Sequence, residues 1–241
     1  MRLSLQLYTL RDQLSADEAG TLAKVADIGY RFVETGGRGD ASAAYRKQLD
    51  DLGLSVSGLH TGIGQLETDL PKSIEEAKVL GSPFIIVPWL DESRRKNWGE
   101  FGKKLDEICA KVREAGLRLA YHNHDFEFKE GGFEELYDNS SPENLNAELD
   151  VAWVQIGGAD PVEWINKLSN RLPLIHLKDF DDTKDPQWQV AGEGKVDWDG
   201  VLAAADKAGV EYGAVELDLY AGNPLDAVKG SYDFFTARGI R

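Results

Sequence analysis

The chain of 241 residues has one cysteine, Cys109, so no disulfide can close within it. A lone thiol inside a helical pattern (LDEICAKV) fits a reducing compartment. Long apolar runs are missing, and none reaches the roughly 20 residues that span a bilayer. The opening MRLSLQLYTL carries no signal-peptide pattern and reads as a strand, so a cytoplasmic protein is expected. Positive charge is scarce: Lys and Arg total 27 against 42 Asp and Glu, a formal net charge of −15. That balance repels DNA, RNA and anionic membranes and argues against nucleic-acid or membrane partners. A small neutral or metal-bound ligand suits it better. No GxGxxG follows the first apolar run, where LYTLRDQL stands instead, which argues against a dinucleotide-binding open sheet. Histidine is rare too, with four in the whole chain.

One pattern recurs. A helical stretch ends in glycine and a short apolar run follows, as in KVADIGYRFVE, QLDDLGLSVSGLH, EAKVLGSPFIIVPW, VREAGLRLAYH and ADKAGVEYGAVEL. Gly29, Gly53, Gly81, Gly116 and Gly209 sit where a helix C-cap needs positive φ before the chain turns into a strand. With LSLQL, NLNAELDV and PLIHLKD the strands number eight, alternating with helical patterns. Alternation of this kind implies parallel strands joined by helical crossovers. Eight such units in this length predict an α/β protein, a (β/α)8 TIM barrel, whose usual size is about 250 residues. No linker or composition shift divides the chain, so one domain over residues 1–241 is expected.

In such a barrel the C-terminal ends of the strands build the active-site rim. The run ends supply Gln6, Glu34, His60, Trp89, then His122 and His124, then Glu148 and Asp150, then His176 and Lys178, then Glu216 and Asp218. All four histidines fall at strand ends. Period-2 alternation puts Asn146, Glu148 and Asp150 on one face, Leu174, His176 and Lys178 on another, and Ala214, Glu216 and Asp218 on a third. Asp150, His176 and Glu216 therefore converge in one mouth. Carboxylates inside a barrel need a cation or strong donors. Oxygen ligands with one imidazole suit Mn²⁺, Mg²⁺, Co²⁺ or Zn²⁺, while Lys178 offers a plain ion pair as the alternative.

The order YHNHDFEF, AELDVAWV with GGADPVEWI, LIHLKDF and then a Glu on the last strand resembles the xylose isomerase-like TIM-barrel family. Its members include sugar phosphate isomerases/epimerases, ketose 3-epimerases and inosose dehydratases. The resemblance implies a divalent metal, most often Mn²⁺, held at the barrel mouth by acidic residues of the fifth, sixth and eighth strands and a His of the seventh. Those positions map to Asp150, His176 and Glu216, with Glu216 also a base. The fifth strand departs, since His122 stands where ketose epimerases keep a Glu. We assign the missing ligand to Glu127, folding back from the following loop, with His122 and Glu148 as the alternatives. His122, His124 and Lys178 then join Glu216 as catalytic groups. Gln6, Glu34, His60 and Trp89 bind substrate.

The activity implied is a metal-dependent sugar or polyol isomerase or epimerase, working by proton abstraction alpha to a carbonyl. A dehydratase or keto-glycoside lyase is the runner-up, and a non-catalytic sugar-binding barrel comes third. Endonuclease-IV-like DNA repair shares the barrel but needs more metal ligands and a basic groove. For a phosphorylated substrate the basic groups are few. Arg38 in GGRGD reads as part of a flexible loop and Arg94–Arg95 as a solvated helix start, so an unphosphorylated substrate is expected. The long segment DFDDTKDPQWQVAGEGKVDW reads as a lid or substrate loop. Homo-oligomerisation is left open.

Overall fold

The computed structural model describes residues 1–241. Eight parallel strands close a barrel in the order β1 (Arg2–Gln6), β10 (Tyr212–Val215), β7 (Leu174–Leu177), β6 (Leu145–Asp150), β5 (Arg118–His122), β4 (Phe84–Val87), β3 (Ser55–His60) and β2 (Phe32–Gly36). Helices surround it, and the architecture is the expected (β/α)8 TIM barrel. The remaining two strands, β8 (Asp179–Phe180) and β9 (Trp188–Gln189), pair antiparallel within the long segment after β7.

Local sequence accounts for the helix ends. Asn97 accepts from Glu100 N–H to start the helix Trp98–Glu114. That helix buries Trp98, Phe101, Leu105, Ile108, Cys109 and Val112, spaced three or four apart on its inner face. At Gly81 and Gly209 the backbone takes the left-handed conformation (φ 71° and 73°), which a glycine reaches without Cβ strain. Burial pushes the Cys109 thiol up, so it packs as an inert hydrophobe. No helix is long and apolar enough to cross a membrane.

Two cores divide the apolar residues. The larger fills the space between strands and helices. The smaller, Phe84, Ile86, Ala120, Leu174 and Tyr212 with Phe32 against it, plugs the lower barrel. Each large side chain buried there contributes about 1.5–3 kcal/mol. Above this plug the inward-facing residues turn polar.

The β2–β3 pairing slips by one residue. Val33 lies opposite Val56, but Glu34 lies opposite Gly58. A bulge of this kind re-aims side chains. A Cβ at Gly58 would meet Ile86 Cδ1 at 2.3 Å and Glu34 Cγ at 3.2 Å, so the glycine makes room for Glu34 inside the barrel.

Two local expectations are corrected, and the long segment after β7 is found anchored. The GGRGD stretch is fastened: Glu76 Oε1 accepts from Arg38 N (2.5 Å), Gly39 N (2.7 Å) and Ser42 Oγ (2.7 Å). The Arg38 guanidinium pairs with Glu18 at 2.8 Å and lies over Tyr45. Arg94 and Arg95 are equally committed. Arg94 forks onto Glu67 at 2.8 and 2.9 Å, and Arg95 stacks 3.4 Å from the Phe126 ring centroid. The segment after β7 is tied down by Asp179. Its carboxylate accepts from Phe180 N, Gly192 N, Gly194 N, Val196 N and Trp198 Nε1 at 2.8–3.2 Å.

Candidate functional site

Above the apolar plug, side chains from seven strands point into the barrel mouth. His176 on β7 stands at the centre, fully buried. Its Nδ1 lies 2.9 Å from Glu216 Oε2 and 3.9 Å from Asp150 Oδ2. Its Nε2 lies 2.9 Å from Glu34 Oε2 and 3.3 Å from Glu148 Oε2. The two faces of one imidazole thus meet two different carboxylate pairs. Toward the mouth, ligand atoms of His122, Asp150, His176 and Glu216 all lie within 4.8 Å of one another. Toward the floor, the same holds for Glu34, His60, Glu148 and His176.

Several of these buried atoms lack a hydrogen-bond partner: His122 Nδ1, both oxygens of Glu148, and Asp150 Oδ2. Glu148 Oε2 nevertheless has imidazole nitrogens of His60, His122 and His176 at 3.3 Å. The distances are close but the N–H directions are wrong, so the attraction is electrostatic. Asp150 Oδ1 is occupied, capping the following helix through Ala152 N and Trp153 N, which leaves Oδ2 for a cation.

Lys178 supplies the one fixed positive charge. Its ammonium contacts Glu216 Oε2 at 2.8 Å, Asp218 Oδ2 at 3.0 Å and Asp150 Oδ2 at 3.1 Å. Trp153 and Trp188 cover it, with ring centroids 5.5 and 4.9 Å away. Burial pulls its pKa down, but Asp150, Glu216 and Asp218 more than offset this, so it stays protonated. Burial raises Glu216, and Lys178 and His176 override it and hold the carboxylate well below its usual range. Glu148 behaves alike, burial being overridden by His176 and its neighbours. Burial lowers His60, yet Glu148 and Glu34 carry it up to about 9. His176 follows the same pattern more strongly. His124 goes the other way: burial, then the positive field of His122 and Lys178, push it to about 2. Even with imidazoliums counted, carboxylates outnumber cations in this layer. The donor set therefore fits a divalent ion.

A cavity of about 830 Å³ opens above the layer. Of the residues singled out from sequence, Gln6, His60, Trp89, His122, His124 and Glu216 line it. Trp89 is 47% exposed, an aromatic face open to ligand. Glu34, Asp150, His176 and Lys178 lie beneath, buried and out of the wall. Glu127 is elsewhere. Its oxygens accept from Tyr121 Oη at 2.7 Å and His124 N at 2.8 Å, and it joins neither ligand group. At the fifth strand His122 takes that place in the mouth group, and Glu148 takes one in the floor group. His124, read as a near-neutral acid–base group, is instead held neutral down to acid pH. Sequence reasoning passed over Arg11 on the cavity wall and left Asp218 without a role. Asp218 shares the parity of Glu216, a signal that was available. Arg11 lies in the first turn after β1, where no spacing rule points.

The sequence matches the xylose isomerase-like TIM barrel family over residues 22–237. The chain belongs to that family. An inosose dehydratase of Lacticaseibacillus casei is 21% identical over 150 residues, covering 54% of this chain and 50% of the dehydratase. The chain thus spans about half the length of that curated relative. A sugar phosphate isomerase/epimerase from Parabacteroides distasonis superposes with a TM-score of 0.83 and 26% identity, over 98% of this chain and 93% of that one. The IOLI protein with a bound zinc atom shares the fold at a TM-score of 0.76 and 15% identity, over 98% and 97% of the two chains.

Proposed function

We propose that the chain is a divalent-metal-dependent enzyme acting on a small sugar or polyol, and that its first step removes a proton alpha to a carbonyl. The observation that carries this reading is the buried mouth group His122, Asp150, His176 and Glu216, set directly under a cavity of about 830 Å³. That volume lies within the usual range for small-molecule sites. His122 Nδ1, buried without a hydrogen-bond partner, and Asp150 Oδ2, which faces the Lys178 ammonium at 3.1 Å, would complete a shell with His176 and Glu216. A divalent ion held there polarises a carbonyl and stabilises charge developing on its oxygen, a role open to Mn²⁺, Mg²⁺, Co²⁺ or Zn²⁺. The IOLI protein, alike in fold, binds zinc, which supports a divalent metal here.

The chain's own residues supply the rest. Glu216 is ionised at neutral pH and lines the cavity, so it accepts the substrate proton. Lys178 keeps its proton and fixes Glu216 and Asp150 in place. It is a positioning residue, fully buried and absent from the cavity wall. Trp89 offers a face for the apolar side of a sugar ring. Neutral His124, its Nδ1 without a partner, orients a hydroxyl. Of the two arginines on the cavity wall, Arg38 is already paired with Glu18, while Arg11 donates to Tyr8 O and lies over the Tyr8 ring with no acidic partner. The likeness to a sugar phosphate isomerase/epimerase supports epimerisation or isomerisation, and that to an inosose dehydratase supports elimination from the same first intermediate.

The test is a panel of keto and hydroxy sugars in D₂O with chelator-stripped and Mn²⁺-reconstituted protein, followed by NMR. Metal-dependent deuterium uptake, lost at least 100-fold in Glu216→Gln, is the expected result. Deuterium in recovered sugar marks epimerisation or isomerisation, and loss of water marks the dehydratase. Turnover indifferent to chelator, or retained by Glu216→Gln, refutes the proposal.

A further inference from the structure

We propose a second divalent-cation site, on the other side of His176 from the mouth group, formed by Glu34, His60, Glu148 and His176. It goes beyond the proposed function and does not rest on it. The four ligand atoms come from β2, β3, β6 and β7 and all lie within 4.8 Å of one another. Zinc held tetrahedrally by nitrogen and oxygen at about 2.0–2.1 Å needs ligand–ligand edges of about 3.3–3.4 Å. Here His60 Nε2 stands 3.3 Å from both Glu34 Oε2 and Glu148 Oε2. His176 Nε2 stands 3.3 Å from Glu148 Oε2 and 2.9 Å from Glu34 Oε2. Of a tetrahedron's six edges these are the four between nitrogen and oxygen, and three fall at the tetrahedral value while one is slightly short; the other two lie within 4.8 Å.

A second observation is independent of that spacing. Both oxygens of Glu148 are fully buried without a hydrogen-bond partner, and Oε2 is aimed into the group. Mouth carboxylates already have the ammonium of Lys178 at 2.8–3.1 Å, whereas no fixed cation serves the floor. The supporting shell is also in place. Gln6 Nε2 lies 3.0 Å from His60 Nε2 and 3.2 Å from Glu34 Oε2, its amide turned by Tyr8 N donating to Oε1 at 3.1 Å, and an ion bound there would take the place of this amide as their partner. Gly58 gives Glu34 its room. His60 lines the cavity and provides the way in. Two imidazoles beside two carboxylates favour Zn²⁺ over Mg²⁺, which takes oxygen ligands in an octahedron and keeps its waters.

His176 belongs to both sites, and a neutral imidazole has one free lone pair. When Nε2 holds a floor ion, Nδ1–H donates to Glu216 Oε2 at 2.9 Å, the usual carboxylate support for a ligating histidine. When Nδ1 serves the mouth, Nε2–H donates to Glu34 at 2.9 Å. The two sites therefore compete for one ring.

The experiment titrates the chelator-treated full chain with Co²⁺ alone and records the visible spectrum, which reports coordination geometry. The first equivalent is expected to give the intense absorption of tetrahedral Co²⁺, bleached by Zn²⁺. His60→Gln and Glu34→Gln, on different strands, should each weaken that band's apparent affinity at least 10-fold. Asp150→Asn, whose oxygen lies 3.9 Å from His176, should keep it. A weak, six-coordinate type of spectrum in the wild-type protein overturns the proposal without any variant. So does an intense band that survives both floor variants or disappears with Asp150→Asn. Failure of the mouth reading is seen separately, as sugar turnover that survives Asp150→Asn.

Discussion

Asp179→Asn is the sharpest test of how the loop over the site is held. The aspartate is 1% exposed and its two oxygens take five donors, none of them charged. Oδ1 accepts from Phe180 N (2.9 Å) and Val196 N (3.2 Å). Oδ2 accepts from Gly192 N (2.8 Å), Gly194 N (3.2 Å) and Trp198 Nε1 (2.9 Å). Asparagine keeps the shape but turns one acceptor into a donor. In its better orientation the amide nitrogen replaces Oδ1 and faces two N–H groups. Each buried donor left without an acceptor costs about 1–3 kcal/mol. The remaining bonds also lose their charge assistance. A loss of about 3–4 kcal/mol is therefore expected, after some relaxation of the loop. Urea unfolding measures it, and native-state hydrogen exchange should show lost protection at Val196 and Phe180. Asp199→Asn, on the exposed start of the next helix, is the control and should stay within about 0.5 kcal/mol. A loss below about 1 kcal/mol with protection unchanged would show that the carboxylate does not organise the segment. The consequence reaches the site, because the same segment carries Trp188 over Lys178.

Two further outcomes follow from the titrating groups. Burial holds Glu127 up at about 7, from an ordinary value near 4.5, against the lowering effect of Tyr121 and its backbone donors. A carboxyl raised in the folded state favours folding below its unfolded pKa, and that contribution is lost as pH rises through about 7. The span amounts to about 3 kcal/mol between pH 4 and pH 8. Glu127→Gln should flatten this part of the stability profile in urea titrations and leave metal affinity unchanged. An unaltered profile, or metal binding weakened 10-fold, contradicts the placement. For the imidazoles, ligation requires a free lone pair, and His60 is carried up to about 9 by Glu148 and Glu34. Zn²⁺ uptake at pH 7 should therefore release protons, and apparent affinity should climb until about pH 9. Calorimetry in buffers of different ionisation enthalpy reads the release, and a value of zero would show that His60 does not ligate.

Strand-end parity made much of the mouth legible in the sequence. Side chains alternate with a period of two along a strand, so Asp150, His176, Lys178 and Glu216 follow from where each run stops. The floor was harder to read. Glu34 and His60 were visible as rim residues, but their meeting with Glu148 depends on how far opposing strands are staggered and on the one-residue slip at Glu34. Neither quantity is written in hydrophobic periodicity. Glu127 illustrates a different limit. In a chain-order reading it lies beside the metal strand, yet Tyr121 Oη and the His124 amide fix its carboxylate away from the ion groups. Arg95 looked solvated because charge near a helix start usually is. Only the tertiary placement of Phe126 beneath the guanidinium reverses that.

The replacement of a glutamate by His122 bears on which outcome the proposed first step leads to. Inverting a carbon needs a base on one face and an acid on the other. In the family's epimerases two metal-bound glutamates fill those places. Here Glu216 is one ionised carboxylate at the cavity wall, and its counterpart position carries an imidazole. His124 cannot return a proton near neutral pH, since its pKa is pushed to about 2. Lys178 is fully buried and tied to three carboxylates. The remaining titratable groups on the wall are His122, whose Nδ1 faces Glu148 at 3.3 Å, His60 and Asp218. An ion in the mouth would occupy a ring nitrogen of His122 and leave Glu216 without that partner. A single base handles transfer or elimination on one face of the substrate, and that favours isomerisation or loss of water over inversion. With the ion on the floor instead, His122 is released from ligation and a second base becomes available. The choice of site by the shared His176 would then decide the kind of reaction as well as the place of the metal.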